Sequence, residues 1–420
     1  MEARRSTANL ILVILLALAV LAGLTWANLR FVTQSPGGND FLVHWVGTRA
    51  FLLEGLSPYS DQVATRIQTL AYGRPAQAGE HELRVAYPLY STLLFAPFAL
   101  ISDFNLARAF WMTAMEVGLV LLAVTSLRLT GWQPKTWMLV FYLLFALLWY
   151  HSIRPLVNGN AVIVVALFFS AAFLSIRSGR DELAGILLAL STIKPQLALL
   201  LVLFVLLWAI SAGRWRLVVA LVGTSLFLVF GAMLFLPDWP LQNLREVLRY
   251  PAYNPPGSPQ AAFLAWWPGV GKQLGWILTA LLSGILIAEW VAARGKDYRW
   301  FVWTACLTLV ISQWIGIQTD PGNFIILFPA LALVFGMLEE RWSAGMRGLV
   351  LFSMVLLGVG LWALFLATVG HGTQPQQNPI MFFPLPLFLL LGLYWVRWWA
   401  VQSKRPLLEQ LRSRQSRLDY

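Results

Sequence analysis

Asp40 is the acidic side chain whose setting in this sequence best fits acid–base chemistry. It follows a break at Pro36-Gly37-Gly38 and begins a largely apolar segment that ends at Glu54-Gly55. That segment is too short to cross a bilayer, so we expect a helix along the membrane surface. A carboxylate at its start can take a proton from a bound hydroxyl group. The alternative is that Asp40 only caps the helix, a role that Asn39 could fill equally well.

Three further polar clusters interrupt the apolar runs of the sequence. Lys194-Pro195-Gln196 separates two short apolar segments, and a lysine at membrane depth is costly unless it is paired or functional. A phosphate group is a natural partner for such a point charge, whereas a lysine that reaches the outer headgroups would only anchor a helix. Asn158-Gly159-Asn160 and Asp320-Pro321-Gly322-Asn323 are either ordinary turns or donors and acceptors for sugar hydroxyl groups.

Composition identifies the surroundings of these clusters as a membrane. The chain has 420 residues, of which 59% are hydrophobic and 12% charged, with a mean hydropathy of +0.69. Soluble domains carry roughly twice that charged fraction. The net charge of +11 does not indicate nucleic acid, because the basic residues lie in short segments between apolar runs. The single cysteine, Cys306, excludes an internal disulfide, and the four histidines show no metal-ligand spacing, so we expect neither a metal nor a cofactor.

Recurrent apolar runs predict an all-α polytopic membrane protein of about 12 transmembrane or half-spanning helices. The candidate spans are 9–29, 107–127, 136–150, 161–176, 183–193, 197–210, 216–236, 273–293, 300–316, 322–338, 347–368 and 380–400. The first follows Arg4-Arg5, and we interpret it as a retained span, since no clear signal-peptide cleavage site follows it. The run 183–210 is either one helix broken at Lys194-Pro195 or a pair of half-spans.

The basic residues decide between these alternatives, because short cytoplasmic loops are enriched in them. If 183–210 is a pair, the short outer loops hold only Arg154 and Lys194, and the other basic loops share the side of the termini. These are Arg128/Lys135, Arg177/Arg180, Arg214/Arg216, Arg294/Lys296/Arg299 and Arg341/Arg347. A single span would move every later basic loop outside. We therefore choose the pair, with both termini in the cytoplasm and the polar clusters on the outer face of the plasma membrane.

The same topology predicts the domain organisation. We expect one membrane domain over residues 1–400 and a basic cytoplasmic tail over 401–420. Residues 30–106 form a long outer loop that carries Asp40 and two juxtamembrane helices, the second over Tyr87 to Ile101. A further outer loop, 237–272, is rich in proline and aromatic residues and is a candidate lid over the polar clusters.

The order of these motifs resembles that of the GT-C glycosyltransferases and, within them, glycosyltransferase family 87, the polyprenol-phosphate-mannose-dependent α-mannosyltransferases. The resemblance implies a GT-C-like fold with Asp40 as catalytic base. Here Phe41 follows the aspartate, so the second acid that many GT-C members place there is absent. The resemblance rests on Asp40, Gly55-x-x-Pro58-Tyr59, Tyr87-Pro88-Leu89, Asn158-Gly159-Asn160, Ala184-Gly185-Ile186-Leu187, Lys194-Pro195-Gln196 and Asp320-Pro321-Gly322-Asn323.

The resemblance also implies the reaction: an inverting transfer of a hexose, mannose in this family, from a polyprenyl-phosphate sugar to a hydroxyl group of a glycolipid or glycan acceptor. We expect the donor phosphate to be bound by Lys194, Arg49 and Arg108. The candidate substrate-binding residues are His44, Tyr59, Tyr87, Asn158, Asn160, Gln196, Asp320 and Asn323. Membrane lipids are the other expected partners, and the sequence leaves the oligomeric state open.

Two alternatives to this reaction stay open at the level of the sequence. A flippase or transporter of lipid-linked sugars would also use helices broken at membrane depth. A GT-C transferase of another sugar would share every motif, because the shape of the pocket sets the identity of the sugar.

Overall fold

The computed structural model describes residues 2–254, 257–315, 320–342, 344–371 and 375–402. In these ranges the chain is helical apart from loops and one short antiparallel strand pair, in which Gly370 opposes Gln376 and His371 opposes Pro375. The prediction of an all-α polytopic membrane protein is confirmed. The helices are α1 (Glu2–Gln34), α2 (Asn39–Glu54), α3 (Asp61–Tyr72), α4 (Thr92–Ala99), α5 (Phe104–Thr130), α6 (Thr136–Leu148), α7 (Tyr150–Asn158), α8 (Val162–Arg177), α9 (Asp181–Ser191), α10 (Pro195–Ser211), α11 (Trp215–Met233), α12 (Trp239–Tyr253), α13 (Pro259–Trp266), α14 (Gly271–Ala293), α15 (Tyr298–Ile315), α16 (Phe328–Trp342), α17 (Ala344–Thr368) and α18 (Pro384–Val401), with 3₁₀ turns at Leu89–Ser91, Pro321–Leu327 and Pro379–Phe382.

Seven helical segments in the described part of the chain are long and apolar enough to cross a membrane, or eight if α6 and α7, bent by 41°, form one broken span. Most large side chains of α1 between Leu10 and Val20 are exposed, as expected for a helix that contacts lipid. The predicted runs 161–176 and 197–210 form the shorter apolar helices α8 and α10. The spans are Asn9–Gln34, Phe104–Thr130, Trp215–Met233, Gly271–Ala293, Pro321–Arg341, Gly345–Thr368 and Pro379–Val401.

The run 183–210 forms a helical hairpin. Arg214, which follows α10, pairs with Asp181 at the start of α9 and donates to the carbonyl of Ile176 at 2.9 Å. A continuous helix would put Asp181 and Arg214 about 50 Å apart, since the rise is about 1.5 Å per residue. The start of α9 and the end of α10 therefore lie side by side, with Lys194 at the opposite end of both helices. The choice of a pair of helices is confirmed.

The predicted basic loops meet at the end of the molecule that holds Asp181 and Arg214. The polar clusters lie at the other end, where Lys194 forms the tip of the hairpin. Which end faces the cytoplasm stays a prediction from the distribution of positive charge. Hydrogen bonds join the basic loops in pairs: Arg177 with Leu129, Gly295 with Ser211, Arg299 with Gln402 and Trp132 with Glu339.

Helix α2 places Asp40 without using it as a cap. Gly38, at φ 79°, occupies the N-cap position, and no side chain caps the helix. The expectation that Asn39 or Asp40 caps this helix is therefore wrong. Glycine adopts the left-handed backbone of Gly38 at little cost, and it has no side chain with which to cap the helix. The carboxylate of Asp40 is left for another partner.

The predicted outer loop over residues 30–106 is largely helical and packed. Residues 41–48 of α2 are buried, and α2 packs against α3 and α4. Phe41 stacks on Trp111 of α5 with ring centroids 5.5 Å apart, which holds the start of α2 against a membrane span. The predicted second juxtamembrane helix is the turn Leu89–Ser91 followed by α4. Side chains of the neighbouring helices thus cover α2, and the expectation that these helices lie along the membrane surface stays a prediction.

Two predicted segments are described in part. The candidate lid over 237–272 contains α12 and α13, while residues 255–256 between them lie outside the described residues. The predicted tail over 401–420 lies outside them beyond Gln402. The structure does not test the domain boundaries, which stay predictions.

The topology predicts where an added cysteine reacts. Ala78 and Ser178 are both exposed, at the end with the polar clusters and at the basic end respectively. In a Cys306→Ala background, Ala78→Cys is expected to react with a membrane-impermeant thiol reagent in intact cells. Ser178→Cys is expected to react only after permeabilisation. Labelling of Ser178→Cys in intact cells, with Ala78→Cys protected, would reverse the predicted orientation.

Candidate active site

Asp40 and one asparagine or lysine from each of the three other polar clusters form a hydrogen-bond network. Asn160 is its centre: Nδ2 donates to Oδ2 of Asp40 at 2.7 Å, and Oδ1 accepts from Nζ of Lys194 at 2.7 Å. Lys194 also donates to Oδ1 of Asn323 at 2.7 Å. These four residues, which we call the Asp40 network, come from positions up to 283 residues apart in the chain. Their assembly supports the interpretation of the clusters as one site.

A close approach of two backbones places Asn160 beside Asp40. Gly159, at φ 75°, ends α7, and a Cβ atom there would lie 2.4 Å from the Cβ of Phe41. Only glycine avoids both the contact and the strain of the left-handed backbone. Oδ1 of Asn160 also accepts from the backbone N–H of Val162 at 2.9 Å, which fixes the side chain at the start of α8.

Lys194 is held within the protein and is 2% exposed. Its ammonium lies 5.4 Å from the ring centroid of Tyr87, in a cation–π arrangement. The ring centroids of Tyr87 and His44 lie 4.0 Å apart, and the backbone carbonyl of Tyr87 accepts from the hydroxyl of Tyr59 at 2.8 Å. Tyr87, His44 and Tyr59 thus form a wall beside the Asp40 network.

Burial raises the pKa of Asp40 above its ordinary value of 3.8, against the opposing effects of the Lys194 charge and the Asn160 hydrogen bond. A carboxylate with a raised pKa is a stronger base and takes a proton more readily. Burial lowers the pKa of His44 to about 3, and the positive charge of Lys194 makes a smaller contribution in the same direction. His44 is therefore a neutral ring at ordinary pH, stacked 4.5 Å from Phe95, and supplies no charge to the site.

The structure does not bring the other two predicted phosphate ligands into the Asp40 network. Arg49 donates to the carbonyl of Ala99 at 2.6 Å. Arg108, 1% exposed, donates to the carbonyls of Ser35 at 3.2 Å and Val157 at 3.0 Å. Arg108 thereby ties the chain before α2 to the end of α7. Arg49 instead joins α2 to the end of α4, and the contact of either arginine with a phosphate stays a prediction.

The remaining predicted residues lie around this network. Asp320 accepts from the backbone N–H of Gly322 and lies 3.5 Å from Nη2 of Arg154. Asn158 ends α7 and Gln196 lies in the first turn of α10; both side chains are partly exposed. Arg154 was given no role from the sequence. Its signal was topological, because Arg154 and Lys194 are the only basic residues of the predicted short outer loops.

The described residues contain no group of three or more His, Cys, Asp or Glu side chains that could hold a metal ion. The sequence prediction of a site without metal stays a prediction. The amide of Asn160 donates to Asp40, and the ammonium of Lys194 donates to the other side of that amide.

Fold and site together define a polytopic helical membrane protein with one carboxylate held in a partly buried polar network. A family model described as glycosyltransferase family 87 matches residues 86–313, more than half of the chain. The chain belongs to glycosyltransferase family 87 and is a membrane glycosyltransferase. The match includes Asn160 and Lys194 but not Asp40 or Asn323. Comparison with curated proteins and with solved structures gives no match.

Gly159 offers a direct test of how the site is positioned. Gly159→Ala adds a clash with Phe41 to the strain of a left-handed alanine, so it is expected to lower both thermal stability and transferase activity. The loss of activity is expected to be at least about 10-fold, since displacing a catalytic group by about 1 Å can cost about 100-fold in rate.

The matched control is Gly179→Ala, at φ 70° with nothing within 4 Å of an added Cβ. It is expected to cost only the backbone strain of about 1–2 kcal/mol and to keep full activity. Thermal unfolding and transfer rates of the two variants in nanodiscs check this expectation. Equal effects of the two substitutions would show that the contact with Phe41 does not position the site.

Proposed function

We propose that the chain transfers a hexose, and specifically mannose, from a polyprenyl-phosphate sugar to an acceptor hydroxyl group at the outer face of the plasma membrane. The observation that carries the proposal is the hydrogen bond from Asn160 to Oδ2 of Asp40, with Lys194 on the far side of the same amide. This bond orients the carboxylate and leaves its other oxygen to accept a proton. Family membership supplies the reaction class, and the resemblance of the motifs supplies the donor.

The proposed reaction is one displacement. Asp40 takes the proton of the acceptor hydroxyl as its oxygen attacks the anomeric carbon of the donor sugar. The bond from that carbon to the phosphate oxygen breaks, and the lipid phosphate leaves with the electron pair. A phosphate is a weak base, so it needs no proton donor. A single attack from the face opposite the leaving group inverts the anomeric carbon, by analogy with inverting glycosidases.

Lys194 is the group that we propose for the developing charge on the phosphate. An ammonium has three N–H donors, and two of those of Lys194 are used by Asn160 and Asn323. The third is available to a phosphate oxygen. A fixed positive charge in a site that excludes water stabilises such an oxygen more than it would in water. Arg154, partly exposed and paired with Asp320, is a further cation beside this network.

Membership of a glycosyltransferase family favours a transferase over a flippase or transporter. The choice of mannose over another sugar rests on the resemblance of the motifs alone. The test gives the purified chain in nanodiscs three polyprenyl-phosphate donors, labelled in mannose, glucose or arabinose, with octyl glycosides as acceptors. Labelled product is expected from the mannose donor. Product from a different donor alone would replace mannose in the proposal.

Asp40→Asn tests the general base. The variant keeps shape and size but cannot accept the proton, so its transfer rate is expected to fall by about 10²–10⁴-fold, the usual contribution of a general base. The matched control is Asp103→Asn, because Asp103 caps α5 by accepting from the N–H of Leu106 at 2.7 Å and asparagine caps as well as aspartate. The control is expected to keep wild-type activity. Transfer by Asp40→Asn near the wild-type rate would remove Asp40 from the reaction.

A further inference from the structure

A polar cleft of about 350 Å³ lies between the start of α3 and helix α12, at the end of the molecule that holds the Asp40 network. Carboxylates, guanidinium groups and an amide can together accept from and donate to hydroxyl groups, which is the pattern of hydrogen bonds that a carbohydrate requires. The lining includes Tyr59 and Asp61 on one side and Gln242, Arg245, Glu246 and Arg249 on the other.

Glu246 gives a second, independent indication of a ligand. It is 7% exposed, and its Oε1 accepts from Nη1 of Arg84 at 3.3 Å. Its Oε2 is buried and has no hydrogen-bond partner among the described residues. A buried carboxylate oxygen without a donor is costly, and such exceptions in folded proteins call for a missing partner. A donor supplied by a ligand in the cleft would satisfy this oxygen.

Helix α12 connects the cleft to the Asp40 network. Tyr250 lies one turn after Glu246, on the same face of the helix. Burial raises the pKa of Tyr250, and the charge on Asp40 raises it further. Asn243, also on α12, donates to the carbonyl of Tyr87 at 3.1 Å. A ligand that fills the cleft therefore lies next to the wall of the Asp40 network.

The charge of the cleft decides which substrate fits. Its lining carries three carboxylates, Asp61, Asp238 and Glu246, against two guanidinium groups, Arg245 and Arg249. Arg84, which pairs with both Asp61 and Glu246, brings the two signs into balance. A cleft without excess positive charge does not attract an anionic lipid phosphate, whereas neutral sugar hydroxyl groups can donate to the carboxylates and accept from the arginines.

We propose that this cleft binds the sugar part of the acceptor, a carbohydrate whose free hydroxyl groups include one that donates to Oε2 of Glu246. The proposal rests on the proposed function, because it supplies the acceptor of that reaction.

The test measures binding in the absence of donor. Octyl α-mannoside, octyl α-glucoside and octyl β-galactoside are titrated into the full chain in nanodiscs by isothermal calorimetry. Glu246→Gln and Arg245→Ala are each expected to weaken binding of the preferred glycoside by about 10-fold, the low end for a hydrogen bond to a charged group. The control is Glu54→Gln, a carboxylate paired with Arg66, with both side chains 40% exposed, and outside the cleft. It is expected to bind as the wild type does.

Failure of this inference is distinguishable from failure of the proposed function. Asp40→Asn is expected to bind the glycosides normally. If Glu246→Gln and Arg245→Ala weaken binding as expected but the wild type transfers no sugar, the proposed reaction is wrong and the cleft still binds the carbohydrate. Wild-type affinity in both cleft variants, or no binding of any glycoside by the wild type, would overturn the cleft. If Glu246→Gln does not fold, because it disturbs Arg84, the exposed Arg245→Ala decides alone.

Discussion

The amide of Asn160 stands between a carboxylate and an ammonium, and the site depends on its two hydrogen bonds. Charges held largely out of water need partners, and here Lys194 is buried while Asp40 is partly exposed. Here the amide satisfies both charges and keeps them apart, so Asp40 is oriented without direct neutralisation by Lys194. A direct ion pair would hold the carboxylate as tightly but would make it a weaker base.

The surrounding fold serves to bring these charges together. The hairpin of α9 and α10 carries Lys194 to the end opposite the basic loops, and the turn at Pro321–Leu327 supplies Asn323. Gly159 lets the end of α7 approach α2 closely. The hairpin, the turn and the glycine are each local features, yet together they join four segments that are far apart in the chain. The packed setting of α2 then shields Asp40 from much of the water, which raises its pKa while Lys194 limits the rise.

Much of this site was predictable because polar residues are rare and costly in apolar sequence. Lys194, the two asparagines and Asp40 stood out for that reason, and the distribution of basic residues placed them on one side. The roles of Arg49 and Arg108 were not predictable in this way. Both side chains bond to backbone carbonyls whose positions depend on turns such as that at Gly38, and composition does not show which way such an arginine points.

The cleft was also beyond the reach of sequence reasoning. Glu246 meets Arg84 across 162 residues of chain, and neither belongs to a motif. The segment 237–272 was predicted as a long outer loop and candidate lid, without a cleft, since the face that α12 turns towards α3 is set by tertiary packing. Residues that act through such long-range contacts give no local signal, whereas a charge inside an apolar run does.

The measurement that tests the central claim most directly is the pH dependence of kcat/KM for the acceptor, at saturating donor, in the wild type and in Lys194→Met. Asp40 must be ionised to accept a proton, so the rate falls as the pH falls through its pKa, which lies above 3.8 in the wild type. Lys194 lowers that pKa through its charge. Its removal is therefore expected to move the acid limb to higher pH, whereas Asn323→Ala, which keeps the charge, is expected to leave the limb near its wild-type position. An acid limb at the same pH in Lys194→Met and the wild type would contradict the account.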